Sequence, residues 1–167
     1  MCVANTIQCF GYIRAELNQA ELTAVSSNTA HKWRFGARPK LSSKHSILCV
    51  DEDEGLLRLR KAALEEAGYA VLIATTGARA LELLTDSPVC LVLSGHMVRA
   101  TTGNALAAEM KRIKPDVPVV LYCGALPDSL AHVDGFINNE ESRPNFLALI
   151  AGFIRIYREG VDRSLAG

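Results

Sequence analysis

The chain has 167 residues, 49% of them hydrophobic and 22% charged, and its formal net charge is zero. These are values of a soluble globular protein, one domain plus an extension, long enough to bury a core without disulfides or metal. No apolar run approaches the length of a membrane span and the N-terminus lacks a basic n-region, so a cytoplasmic protein without signal peptide or membrane contact is expected.

The charge is unevenly spread. Residues 1–45 hold six Lys/Arg and two Glu, whereas residues 46–167 hold twelve Lys/Arg and sixteen Asp/Glu. The first segment reads as an N-terminal extension or linker. Its basic stretch HKWRFGARPKLSSK (31–44) carries Gly36, Pro39 and two serines, which suits a solvated arm. An arm that contacts nucleic acid is the alternative, and five scattered basic residues are a weak signal for it. The five cysteines, Cys2, Cys9, Cys49, Cys90 and Cys123, form no CxxC pair and are odd in number. Reduced, structural thiols are expected.

From Ser46 the pattern is regular. ILCV (47–50) is a short apolar run, stopped by DEDEG. GLLRLRKAALEEA (55–67) predicts a helix with Leu56, Leu59, Ala63 and Ala67 on its inner face. Gly68 follows as a C′ residue able to take positive φ. YAVLIAT (69–75) predicts a second strand, GARALELLTD (77–86) a second helix, and VCLVLS (89–94) a third strand. The loop GHMVRATTG (95–103) leads into a helix over 102–115. That helix has Leu106, Met110 and Ile113 on one stripe, Thr102 or Gly103 as N-cap, and Lys111, Arg112 and Lys114 near its C-terminal dipole. VPVVLY (117–122) is a fourth strand and GFIN (135–138) a fifth. PNFLALIAGFIRIYREG (144–160) opens with Pro144 and is expected to end at Gly160.

Five short, continuous apolar strands alternating with helices predict an α/β fold, a doubly wound parallel sheet covered on both faces. In such sheets the working residues stand at the carboxyl ends of the strands. After the first strand come Asp51, Glu52, Asp53 and Glu54. Such a run is either a cation site or the acidic first turn of a helix. After the third strand there is no carboxylate between Asp86 and Glu109. A doubly wound enzyme of another family usually has a Gly-rich phosphate loop after strand one, where DEDEG would repel phosphate.

Taken in order, ILCVDEDEGLLRLRKAALEEAGYAV, ATTGARALELL, LVLSGHMVRATTGNALAAEMKRIKPDVPVVLYCG and VDGFINN resemble the receiver domain of bacterial response regulators, over residues 46–158. The resemblance implies a flavodoxin-like five-stranded receiver fold between the 1–45 extension and a short 159–167 tail. It also implies a signalling role in a two-component phosphorelay. In that family two acids after strand one hold Mg²⁺, and an aspartate after strand three accepts a phosphoryl group. A Ser or Thr after strand four and a Lys after strand five hold the product.

Carried over by position, the acidic pair falls on Asp51 and Glu52. The acceptor, eight residues before the loop glycine Gly103, falls on Gly95, which has no side chain to phosphorylate. The Ser/Thr position falls on Cys123, a weak hydrogen-bonding group. The Lys position falls on Asn139, or on Asn138 with a slip of one. No lysine follows Lys114, and Arg143 is not an equivalent point charge.

The departures imply that Mg²⁺ binding is weak or absent, that no other cofactor is needed, and that the chain is a pseudo-receiver rather than an enzyme. Ser94 is expected to face away from Gly95, and His96 to be a solvent-facing loop residue. Cys123 is expected to pack, and to act as a redox thiol only if its pKa is low. The stretch from Cys123 to Asn139 leaves room for about one and a half turns of the usual fourth helix. The effect is expected to pass to a separate signalling partner, a histidine kinase or output protein, or to a homodimer. Exposed apolar residues of the last helix such as Ile154 and Ile156 are candidates for that contact, although at least half are expected to pack inward.

Overall fold

A computed structural model of the chain describes residues 46–126 and 129–165. The chain divides into two units, residues 1–38 and 39–167. The readings made above for residues 1–45, including the basic 31–44 arm, lie outside the described residues.

The elements run β1 (Ser46–Val50), α1 (Glu54–Glu66), β2 (Ala70–Ala74), α2 (Gly77–Asp86), β3 (Val89–Ser94), β4 (Met97–Val98), β5 (Thr101–Thr102), α3 (Gly103–Ile113), β6 (Val119–Cys123), β7 (Gly135–Asn138) and α4 (Arg143–Leu165). Five strands form one sheet in the order β2-β1-β3-β6-β7, every pair parallel. All six residues of the central strand β3 are buried, as both faces of a helix-covered parallel sheet require. Leu48 and Val50 of β1 pack with Ala80 and Leu84 of α2 and with Leu106 and Met110 of α3 in one buried cluster. Ile47 and Cys49 alternate onto the other face.

Local signals explain most element ends. The Asp53 carboxylate accepts the N–H groups of Gly55 (2.7 Å) and Leu56 (3.0 Å) and caps α1. Gly68 takes φ +95° just after that helix, the left-handed turn expected of a C′ glycine. Thr76 caps α2 and Thr102 caps α3 through their hydroxyls.

The inner face of α1 differs from the sequence expectation. Its buried residues are Leu57, Arg60 and Leu64, while Leu56 and Leu59 are 48% and 71% exposed. The stripe at 57, 60 and 64 is helical in period but includes a charged residue, so a count of apolar positions favours its neighbour. Ile113 of α3 is likewise exposed.

Gly160 does not end the last helix, which runs through it to Leu165. A glycine stops a helix only where the chain turns to positive φ, and among the described glycines only Gly68 does so. In that helix Ile154 is buried and Ile156 exposed. Among the described residues between Cys123 and Gly135, none is helical. None of the described helices is long and apolar enough to cross a membrane.

Candidate functional site

The parallel register carries the strand ends to one place. Cys49 pairs with Leu93 and Val50 with Ser94. The N–H of Gly95 then donates to the carbonyl of Val50 at 2.8 Å. Asp51 and Gly95 therefore stand side by side. A Cβ added to Gly95 would lie 3.1 Å from Asp51 Oδ2. Ser94, one residue earlier, is fully buried and its hydroxyl donates to the carbonyl of Gly95 at 3.1 Å.

On the far side, Cys123 pairs with Asn138, and the N–H of Asn139 donates to the carbonyl of Cys123 at 3.2 Å. The Asn139 amide lies against Gly124. The Asn138 side chain instead accepts the N–H of Glu140 at 2.8 Å. Asn139, not Asn138, thus faces the strand ends. Arg143 is drawn away to Glu66, at 2.6 Å on the surface.

Asp51, Gly95, His96, Cys123, Gly124 and Asn139 line a common cavity of about 270 Å³ with Leu56, Met97, Tyr122 and Arg60. Four of the residues singled out from the sequence, Asp51, Gly95, Cys123 and Asn139, therefore meet. Glu52 is not in the lining. It turns outward, and its carboxylate accepts the N–H of Arg99 at 3.1 Å. Arg99 has φ +57° in the β4–β5 hairpin, a conformation that favours glycine, and its Nε donates to the carbonyl of Thr75 at 3.4 Å. The acidic run thus divides its tasks: Asp51 faces the cavity, Glu52 fastens the hairpin, Asp53 caps α1, and Glu54 pairs with Arg58 on the surface.

The loop closes over a second glycine. A Cβ on Gly103 would lie 2.5 Å from the carbonyl of Gly95 and 2.6 Å from Leu121. The Gly103 N–H also donates to the carbonyl of His96 at 2.6 Å. Only glycine allows that approach, which fixes the spacing between Gly95 and Gly103.

Arg60 is the residue that pattern reading missed. Its Nη2 donates to Asp51 Oδ2 at 3.0 Å, with the two side chains 5% and 13% exposed. Its guanidinium carbon stands 4.5 Å over the ring of Tyr122, within cation–π range. Tyr122 in turn packs edge-on against Phe146 of α4, centroids 5.3 Å apart, and its hydroxyl donates to the carbonyl of Asn139 at 3.3 Å. Nη1 of Arg60 is buried and has no hydrogen-bond partner among the described residues.

Cys123 donates to the carbonyl of Ala125 at 3.3 Å. Burial pushes its thiol pKa up from the ordinary value. Desolvation favours the neutral thiol, so this is not an activated nucleophile. Burial also pushes the Cys49 thiol up to about 12.

The residues present do not fit the Mg²⁺ that the resemblance implies. A hard dication needs several free oxygens. Gly95 supplies none from a side chain. Asp51 has Oδ2 on Arg60 and Oδ1 on the N–H of Asp53 at 3.1 Å. Glu52 is turned to Arg99.

Comparison with known proteins bears on the whole domain. Residues 47–133 match the family model described as response regulator receiver domain. The transcriptional regulatory protein GlrR of Escherichia coli is 37% identical over 87 residues, 51% of this chain and 20% of that protein. The response regulator receiver protein CpdR of Brucella abortus is 33% identical over 78 residues, 47% of this chain and 65% of that protein. This chain therefore matches only about a fifth of GlrR's length. Among solved structures, the signal receiver domain of an HD domain-containing protein from Pseudomonas fluorescens superposes with a TM-score of 0.67 at 20% identity. That match covers 82% of this chain and 99% of the other. The register, the strand order and the family match converge, and the chain belongs to the response regulator receiver domain family.

Proposed function

We propose that this receiver domain is a pseudo-receiver, a member of two-component signalling that works by protein–protein contact without aspartyl phosphorylation. The observation that carries this reading is Gly95 beside Asp51. The third strand ends there, in the position that the resemblance gives to the phosphoacceptor, and a glycine has no nucleophile to offer. No carboxylate between Asp86 and Glu109 replaces it. Ser94 is buried with its hydroxyl on a backbone carbonyl. The resemblance gives the places of the switch hydroxyl and the lysine to Cys123 and Asn139, and neither supplies a cation to hold a phosphoryl group.

A fold of this kind still serves as a switch when a partner binds one arrangement of its strand-end loops better than another. In this reading the partner is another signalling protein, a histidine kinase or an output protein, or a second copy meeting the last helix. The exposed Ile156 of α4 and the described residues between Cys123 and Gly135, none of them helical, belong to the face it would meet.

The test is incubation with acetyl phosphate and Mg²⁺ followed by intact mass spectrometry. The expected result is no gain of a phosphoryl group. An acid-stable, hydroxylamine-labile adduct on the native chain would reject the reading.

A further inference from the structure

Burying a guanidinium is unfavourable unless it is paired and hydrogen-bonded. Arg60 is buried on the inner stripe of α1, between Leu57 and Leu64, where an apolar side chain would satisfy the helix. Its charge has one destination, the Asp51 carboxylate, and its flat face covers Tyr122. Of the residues lining the strand-end cavity, Asp51 and Arg60 are the two charged ones, so the pair leaves the cavity neutral.

We propose that the guanidinium of Arg60 is the resident cation of this pocket, holding by ion pairing the carboxylate that a divalent metal would otherwise need, so that Gly95 and Arg60 are compensating changes. This deepens the pseudo-receiver reading and rests on it. A receiver pocket of three acids is self-repelling without a cation. Here one acid is missing, at Gly95, and one positive charge is built into the protein on a helix. Asp51 is then neutralised permanently, and the arrangement of the strand ends no longer depends on metal. A lysine would supply the same charge, whereas arginine also lays its planar face on the Tyr122 ring while Nη2 bonds the carboxylate.

It follows that restoring the acceptor alone does not restore the metal site. An aspartate at position 95 would place its Cβ 3.1 Å from Asp51 Oδ2. That oxygen is already held by Arg60, so the guanidinium would pair with both carboxylates. Removing Arg60 as well leaves the acids uncompensated and open to a dication.

The experiment is Mn²⁺ titration followed by electron paramagnetic resonance, with Mg²⁺ competition, on the full chain and on G95D, R60M, G95D/R60M and G95D/R60K. The native chain and G95D are expected not to bind at millimolar metal. G95D/R60M is expected to bind roughly tenfold or more tighter than G95D. G95D/R60K, which keeps a positive charge but not the fork, is expected to stay with G95D, which separates charge from packing. R60M alone leaves the Gly95 backbone untouched and is expected to show weak binding where the native chain shows none.

If G95D/R60M is unfolded without metal, Mg²⁺-dependent recovery of its circular dichroism supports the proposal, and absence of recovery overturns it. Equal binding by G95D and G95D/R60M also overturns it, as does binding by G95D/R60K equal to that by G95D/R60M. A phosphoryl adduct on the native chain would reject the pseudo-receiver reading without touching these titrations.

Discussion

The Asp51–Arg60 pair allows a double-mutant cycle whose size follows from its burial. Asp51→Asn keeps an oxygen for the Asp53 N–H but removes the charge opposite Arg60, a side chain only 5% exposed. Breaking a buried pair from one side costs about 3–5 kcal/mol because the other charge is stranded. The partial access of Asp51, 13% exposed, puts the expected loss near the lower end, about 3 kcal/mol for Asp51→Asn. Arg60→Met fills the space between Leu57 and Leu64 with apolar atoms and leaves a carboxylate that reaches some water. A loss of about 2 kcal/mol is expected. The double variant replaces both charges and should lie within about 1 kcal/mol of the native chain. The coupling energy is then about 4–6 kcal/mol. Urea unfolding followed by circular dichroism measures it, provided the slope with denaturant is unchanged across the four proteins. A coupling below about 0.5 kcal/mol, the range of a solvated surface pair, would refute the claim that this charge pair is buried and mutually dependent.

Other outcomes follow from single sites. Gly103→Ala forces a methyl against the carbonyl of Gly95 and the Leu121 side chain, so a loss of about 1–3 kcal/mol is expected, read as a lower Tm. Gly135→Ala drives its Cβ into the ring of Phe153. It should cost a similar amount, about 1–3 kcal/mol, and be relieved in part by Phe153→Leu, which a second double-mutant cycle would show. The Cys49 thiol ionises at about 12 in the fold against 9.0 for a free thiol. The unfolded chain therefore loses its proton first, so this group's contribution is full below pH 9 and falls as pH rises toward 12. Urea midpoints across that window should drop less in Cys49→Ala than in the native chain. Labelling by iodoacetamide at pH 8 should be slower at Cys123 than at an unhindered thiol, since burial raises its pKa.

Much of the fold was legible because its signals are local and redundant. Continuous apolar runs such as ILCV and VCLVLS have one good use in a chain with intervening helices, the middle of a parallel sheet. Gly68 announced its turn by lacking a Cβ, and Thr102, one of two cap candidates with Gly103, caps through its hydroxyl. The departures at Leu56 and Leu59, at Ile113 and at Gly160 share a cause, which is that a residue type was taken for its commonest use. Gly160 ends a helix only if the chain bends there, and it does not. The β4–β5 hairpin is two residues a strand and is held by Glu52 and Thr75 from distant segments. No periodicity within 95–103 could have carried it.

The site was legible in part for a different reason. Asp51, Gly95, Cys123 and Asn139 are fixed by their places at the ends of strands, and parallel register converts such places into proximity. Arg60 is on a helix, six residues past the acidic run's last member in a stretch that alternates leucines with basic residues. Periodicity assigns a basic residue to water unless something inside the protein wants its charge, and what wants it here is an acid nine residues earlier. The spacing Leu57, Arg60, Leu64 was the available signal, a helical stripe interrupted by one cation facing the end of β1. The absence of an acid at Gly95 and the presence of a base at Arg60 have to be read together. In the proposed reading, a pocket that lacks one carboxylate and holds one guanidinium differs in charge by two units in the same direction, which is what a bound dication would otherwise supply.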